Sequence, residues 1–391
     1  MVGWLEGTVT ALGRTWPGAR ELTVRCAGDG RDGGIGGGHE AVVRPEPADG
    51  VDRRALAYPE LVGDPQVGDR VLLNVNAQAL GLGTGGYALV VAIPDRLPGA
   101  AAGPGATAAS AAADPSPPGH MVKARYTPLQ TVVLGVDEQD SPHHELLRDA
   151  DDLAGLPVVT ADLHSALPAV CAAVLHDRPG TRIAYVMTDG GALPLWFSRT
   201  VAGLRAAGWL CGSVTVGQAF GGDLEAVTLH TGLLAARHVL GAQIAVVCQG
   251  PGNLGTGTKW GFTGVACGEA VNAVAALNGR PFGVLRVSEA DSRERHRGLS
   301  HHSLTAYGRV ALAPADLALP DESGAFWDGV RAQAEALTPR HRLRAVPAEG
   351  LDAALAASPV ALSTMGRDRD QDRANFLAAA CAGRLAAAAT R

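Results

Sequence analysis

The chain has 391 residues, enough for two or three domains, and its 47% hydrophobic against 18% charged residues mark a globular composition and not a disordered one. A formal charge of −6 and the lack of any basic tract argue against nucleic acid as a partner, because sequence-independent binding works through phosphates. The six cysteines stand singly with no C-x-x-C pair, which suits reduced, buried thiols and not a disulfide frame or a cysteine zinc site.

The first ten residues carry neither a basic n-region nor an apolar h-region, so no signal peptide is expected and the location is read as cytoplasmic. Arg237 and His238 interrupt the best apolar stretch, so no membrane-spanning helix and no membrane partner are expected. Residues 1–97 read as a small all-β, barrel-like domain, with short alternating or β-branched runs at 7–12, 21–25, 54–58, 70–74 and 87–93. The turn-then-strand pattern from Val67 through Leu73 is frequent in barrels of the SH3 or OB kind. Residues 28–38 read as a glycine-rich hairpin tip or loop. Gly81, Gly83 and Gly86 have the look of a dinucleotide fingerprint. They precede a strand where the motif must open a helix, so the segment is a loop. An Ala/Pro/Gly/Ser linker without apolar periodicity occupies residues 98–119.

Residues 120–391 read as an α/β domain. Strands are predicted at 130–134, 157–160, 182–188, 213–216, 243–248 and 281–287, and helices at 142–153, 165–177, 193–208, 224–240, 264–277 and 324–337. A strand at 342–346, a helix at 351–357, a strand at 360–364 and a helix at 372–388 complete the chain. Continuous apolar strands alternating with helices predict a mostly parallel, doubly wound sheet with helices on both faces.

In such sheets ligands sit outside the carboxyl ends of the strands. Seven predicted ends run into polar, glycine-rich segments, and five of these carry an acid: Asp137 and Glu138, Asp162, Asp189, Asp223, and Glu289 with Asp291. The opposite connections, such as Gly155-Leu156 and Asn278-Gly279, are plainer. Polar βα loops are ordinary, yet the acids concentrate on one edge.

The segment from Gly250 through Gly252, Asn253, Gly255, Thr256, Gly257 and Thr258 to Lys259 follows a strand and leads toward a helix. Its glycines allow a backbone nest for a phosphate or carboxylate, or simply a tight turn. Gly252 and Gly257 have P-loop spacing, but Thr258-Lys259 reverses the Lys-Ser/Thr order of a Walker A. Asp189 with Gly190 and Gly191 reads as an acid at a sharp turn, able to ligate a divalent cation, act as a base or cap a helix. Asp223 has the same readings, and His230 on the following predicted helix is read as packed or hydrogen-bonded. Ser300, His301 and His302 offer acid/base, metal-ligand or phosphate-contact chemistry. The run Arg293-Glu294-Arg295-His296-Arg297 before them suits an anionic ligand or a solvated loop. His143 and His144 read as surface residues.

Six blocks resemble a family of proteins of unknown function from actinobacteria and other Gram-positive bacteria. They run from Arg53 to Val62, Leu82 to Tyr87, Thr188 to Pro194, Gly217 to Asp223, Gln249 to Asn253 and Ser300 to Ser303. The resemblance extends over nearly the whole chain and implies no activity; residues 28–40 and 99–119 look like local expansions relative to it. The alanine- and arginine-rich composition suits an actinobacterium.

The expectation is an enzyme, a hydrolase or group transferase, acting on a small anionic metabolite, phosphorylated metabolites included. The Gly250–Lys259 loop would bind the anion, with Asp189, Asp223, His301 and His302 as catalytic groups. A divalent cation and a homo-oligomer are both open. The alternative is a non-catalytic metabolite sensor or adaptor with the barrel as its interaction module.

Overall fold

The computed structural model describes residues 3–27, 50–82, 85–97 and 119–390. The glycine-rich segment 28–38, the linker up to residue 118, and Gly83 and Thr84 lie outside the described residues. The chain divides into two compact units, Met1–Ser116 and Pro117–Arg391.

The first unit is a closed five-stranded barrel of β1 (Trp4–Trp16), β2 (Ala19–Cys26), β3 (Val51–Ala57), β4 (Arg70–Asn74) and β5 (Ala88–Ala92). The order is β1-β2-β3-β5-β4, with β4 returning to β1 and β3 parallel to β5, which is the connectivity of an OB-type barrel. Alternation directs Val9, Leu22, Val24, Ala55, Ala57, Val71, Leu73, Ala88 and Val90 inward. Pro17-Gly18 turns β1 into β2, and Gly18 takes a left-handed φ of 78°. On the outer faces of β2 and β3 the charges are matched. Arg25 pairs with Asp52, and Glu21 takes Arg14 and the Tyr87 hydroxyl.

The second unit holds an eight-stranded sheet in which every pairing is parallel. Its strands are β6 (Pro157–Thr160), β7 (Ile183–Thr188), β8 (Gly212–Val216), β9 (Leu224–Ala226), β10 (Ile244–Gln249), β11 (Arg280–Val284), β12 (Asp316–Pro320) and β13 (Arg342–Val346). The order is β9-β8-β7-β10-β6-β11-β12-β13. Both faces are buried, so neighbouring residues feed different cores. Val159, Tyr185, Val246 and Cys248 enter one, and Val158, Ala184, Val186, Ala245 and Val247 enter the other. Helix α1 (Ala166–Asp177) and helix α8 (Arg373–Ala388) pack together in the first core, whereas α3 (Leu229–His238) fills the second.

Four sequence expectations are corrected. Residues 131–133 pair with 121–123 in a separate ribbon, and residues 363–364 pair with 367–368, so neither predicted strand joins the main sheet. Residues 224–226 form a strand before α3, because Glu225 and Ala226 are held beside β8. The helix expected over 142–153 is a single turn, His144–Leu147. Strand β12 was not foreseen: Asp316 and Pro320 bracket only three apolar residues, and the neighbouring strands β11 and β13 impose the extended conformation.

Candidate functional site at the carboxyl edge of the sheet

Adjacent strands β6 and β10 continue in opposite directions, β6 to β7 on one side and β10 to β11 on the other. Their helices therefore part: α1 lies in the first core, and Ala270, Ala273 and Val274 of α4 (Ala266–Ala276) lie in the second. This is a topological switch point, the place beyond which open α/β sheets take their ligands.

Asp162, just past β6, is 4% exposed. Its Oδ2 lies 3.7 Å from the Arg286 guanidinium and 3.6 Å from Nδ1 of His302. Arg286, equally buried, donates to Nδ1 of His302 at 3.0 Å and has Asp291 at 3.9 Å. Arg293 forks onto Asp291 at 2.8 and 2.9 Å, and Arg367 bridges Asp291 to Asp372. The guanidiniums hold the Asp291 carboxyl far below the usual range, Arg293 foremost. A charge of either sign this deep needs such partners.

Three histidines meet beside this network. Ser300 caps helix α5 (His301–Thr305) by accepting the His302 amide, and its Oγ also lies 2.7 Å from Nδ1 of His296. Ring centres are 4.5 Å apart for His301 and His302 and 4.9 Å for His296 and His301. Phe262 stacks on His302 at 3.7 Å, tilted by only 4°. Burial, then the His302 ring and the surrounding arginines, push the His301 imidazole down to about 4; burial with Arg286 and Arg293 takes His296 to about 3. Both are neutral at pH 7, with lone pairs for a proton or a metal ion. One nitrogen from each of the three histidines falls within 4.8 Å of the others, the group among the described residues best arranged to hold an ion.

Buried polar atoms are nearly always hydrogen-bonded. Among the described residues of the α/β unit, the exceptions are Asp162 Oδ2, Gln249 Oε1, His301 Nε2 and Glu225 Oε2. The last faces Lys123 at 3.3 Å. Of the first three, Asp162 lies just past β6, Gln249 ends β10 and His301 opens α5. A pocket of about 10 Å³ beside Asp162, Gln249 and Cys248 has room for about one water. By contrast, His164 is satisfied at both nitrogens, by Tyr185 and by Ser198, and is a packing residue. A larger cavity of about 350 Å³ opens at the opposite edge, by Pro157, Arg237 and Arg280, where both arginines already donate to backbone carbonyls.

The residues singled out from sequence divide accordingly. Ser300, His301 and His302 come together with Asp162. Asn253 is a structural knot: its Oδ1 accepts from Gln249, Thr263 and the Gly264 amide, tying the loop to the start of α4. Gly190, Gly191 and Gly250 interlock as backbone, since a Cβ on Gly191 would meet the Gly250 carbonyl at 2.2 Å. The Ala192 amide reaches Pro251 at 2.7 Å across the same contact. Gly252 and Gly257 take left-handed φ, and Gly255, Thr256 and Thr258 close a small turn back on Gly261 and Phe262. Arg295 comes within 3.6 Å of the position a Cβ would take on Gly257. Lys259 and Arg295 are exposed and make no hydrogen bond or ion pair among the described residues.

Asp189 lies exposed at the end of β7, where it accepts the Gln218 amide at 2.9 Å. Asp223 is a correction. It sits at the amino end of β8, bound to the Ser213 amide and hydroxyl at 2.8 Å and to Arg205 at 2.7 Å. A strand's length, about 13 Å for four residues, separates Ser213 from Gly217 at the carboxyl edge. His230 is exposed on α3. Sequence reasoning had placed Asp162 at a strand end without choosing it, and had passed over Arg286 and Phe262. Arg286 carried a signal, a lone charge between Leu285 and Val287 in an apolar run.

The chain belongs to the family described as protein of unknown function DUF3866, whose model matches residues 54–383. No curated protein and no solved structure matches it.

Proposed function

We propose that this member of the family is an enzyme, a hydrolase or group transferase, that takes a small anionic metabolite at the switch point between β6 and β10. The observation that carries the reading is the set of buried, unpartnered polar atoms there, Asp162 Oδ2 and His301 Nε2 foremost. Such atoms cost free energy unless a ligand meets them, on the order of 1–3 kcal/mol each. Neutral imidazoles supply a proton acceptor or a ligand for a Lewis acid. Lys259 and Arg295, free of ion pairs among the described residues, supply charge for a phosphate or carboxylate at the rim.

A cytoplasmic location goes with this reading. No cysteine forms a disulfide among the described residues, and no helix among them is long and apolar enough to cross a membrane. Actinobacterial origin rests on composition alone.

The test is turnover. The full chain is incubated with a panel of phosphate monoesters, diesters and acyl phosphates, with and without divalent cations, beside His301→Ala and Lys259→Ala. Conversion lost in His301→Ala, with a raised KM in Lys259→Ala, is the expected result. Saturable binding without conversion would replace the enzyme by a sensor, and neither binding nor conversion would remove the site.

A further inference from the structure

We infer that His296, His301 and His302 form a site for a transition-metal dication of the zinc class, bound through their Nε2 atoms. The inference rests on the switch point being a ligand site and names what that site holds first.

The backbone fixes the three rings before any ion arrives. Val287-Ser288 pairs antiparallel with Gly298-Leu299, which closes residues 289–297 into a loop and sets His296 against the start of α5. The Ser300 cap sets His301 and His302 one after the other on the first turn of that helix. Phe262 covers one face of His302, so its ring cannot swing away.

The hydrogen bonds orient the nitrogens. His296 Nδ1 faces Ser300 Oγ at 2.7 Å, and that oxygen already accepts the His302 amide. A proton on Nδ1 suits this contact and leaves the Nε2 lone pair free. His301 Nε2 is buried and has no hydrogen-bond partner. His302 needs one rearrangement. Its Nδ1 accepts from Arg286 at 3.0 Å, so the neutral ring carries its proton on Nε2. A metal ion at Nε2 requires the other tautomer, with the proton moved to Nδ1 and none lost or gained. The acceptor for that new N–H is already in place: Asp162 Oδ2, 3.6 Å away and unpartnered. Arg286 then turns to the same carboxylate, 3.7 Å from it. The result is a carboxylate–histidine–metal relay of the kind that orients ligating imidazoles elsewhere.

The donor set selects the ion. Three imidazoles with no carboxylate among them suit zinc, cobalt, nickel or copper and not magnesium or calcium. Bonds of about 2.0–2.1 Å in a tetrahedron need nitrogens about 3.3 Å apart; one ring nitrogen of each histidine already lies within 4.8 Å of the others, and metal binding draws the three rings together about the ion. Three protein ligands leave one position open, as in catalytic zinc sites. The nearby positive charge of Arg286 is balanced by Asp162 and Asp291.

The test uses the full chain stripped with a chelator and titrated with Zn²⁺ by calorimetry and with Co²⁺ by visible absorption, without any substrate. One ion per chain, ligand-field bands of a four-coordinate site and a zinc-dependent rise in Tm are expected. His301→Ala should lose at least about 100-fold in affinity, and Asp162→Asn about 10–100-fold. His230→Ala, altered at an exposed histidine on α3, should match the parent. No binding by the parent, or equal binding by His301→Ala, overturns the inference and reduces the cluster to a packed stack of rings. Metabolite binding measured on the chelated chain reads the ligand site separately. Zinc binding with no metabolite site would sink the enzyme reading alone, and the converse the metal alone.

Discussion

Asp162 and His302 face each other across the switch point at 3.6 Å, carboxylate oxygen to Nδ1, with no hydrogen bond to Asp162 Oδ2 from either His302 or Arg286. A carboxylate 4% exposed is held there by the charge of Arg286, 3.7 Å away. That tension makes Arg286 the balance point of the whole edge, since Asp291 leans on it from the other side.

Arg286→Met should therefore lose more stability than an exposed charge would. It leaves Asp162 buried beside no cation, a cost of about 3–5 kcal/mol in urea unfolding. Arg293 and Arg367 still hold Asp291, so adding Asp162→Asn should restore a good part of the loss. If the double variant is no better than the single one, the pair is not what balances the site.

Gly191→Ala addresses the interlock between the β7 and β10 loops. The new methyl would stand 2.2 Å from the Gly250 carbonyl, which is backbone and cannot step aside cheaply. A loss of about 1–3 kcal/mol in chemical unfolding is expected, as for overpacking generally. Gly252→Ala meets no atom within 4 Å and should show only the smaller strain of its left-handed φ, 97°.

Asp223→Asn separates the two edges of the sheet. It removes charge from the contacts to Ser213 and Arg205 and should cost about 1 kcal/mol. Zinc affinity and any turnover should be those of the parent. A variant that keeps its Tm but loses activity would return Asp223 to the site.

Lys123 ties the start of the α/β unit to its sheet. Its ammonium, with no exposed surface, donates to the Gly217 and Ala219 carbonyls and faces Glu225 at 3.3 Å. Burial pulls the ammonium down and the Glu225 carboxyl up, against their mutual attraction. Lys123→Met should cost about 3–5 kcal/mol at pH 7, and Lys123→Met with Glu225→Gln distinctly less, as measured in a double-mutant cycle.

Acid should weaken the barrel through Glu21. Hydrogen bonds from Arg14, and then from the Tyr87 hydroxyl, hold its carboxyl down to about 2 from an ordinary 4.5. A lowered folded-state value means stability that is present above pH 4.5 and lost as pH falls toward about 2. Scanning calorimetry of the parent and Glu21→Gln should show a gap at pH 7 that closes by about pH 2. A gap independent of pH would assign the effect to packing.

Periodicity alone was enough to separate an all-β unit from a parallel α/β unit, because barrel strands alternate and doubly covered strands are apolar throughout. It located all five barrel strands and six of the eight strands of the sheet, missing β9 and β12, whose apolar runs are too short to declare themselves. The paired histidines at 301 and 302 were also visible as a cluster, and the acid after β6 as a residue type at a strand end. Their meeting was not. Asp162 and His302 are 140 positions apart, and Phe262 joins them only because β10, late in the chain, inserts between β7 and β6. The parallel pairing of β9 with β8 likewise sent Asp223 to the far edge, although Asp223, like Asp189, stands beside a Gly-Gly pair. Local sequence encodes which residues are buried and where the chain turns, through periodicity and backbone preference. Which charges balance one another, and which polar atoms are left without partners, depends on long-range pairing that only the folded sheet brings about.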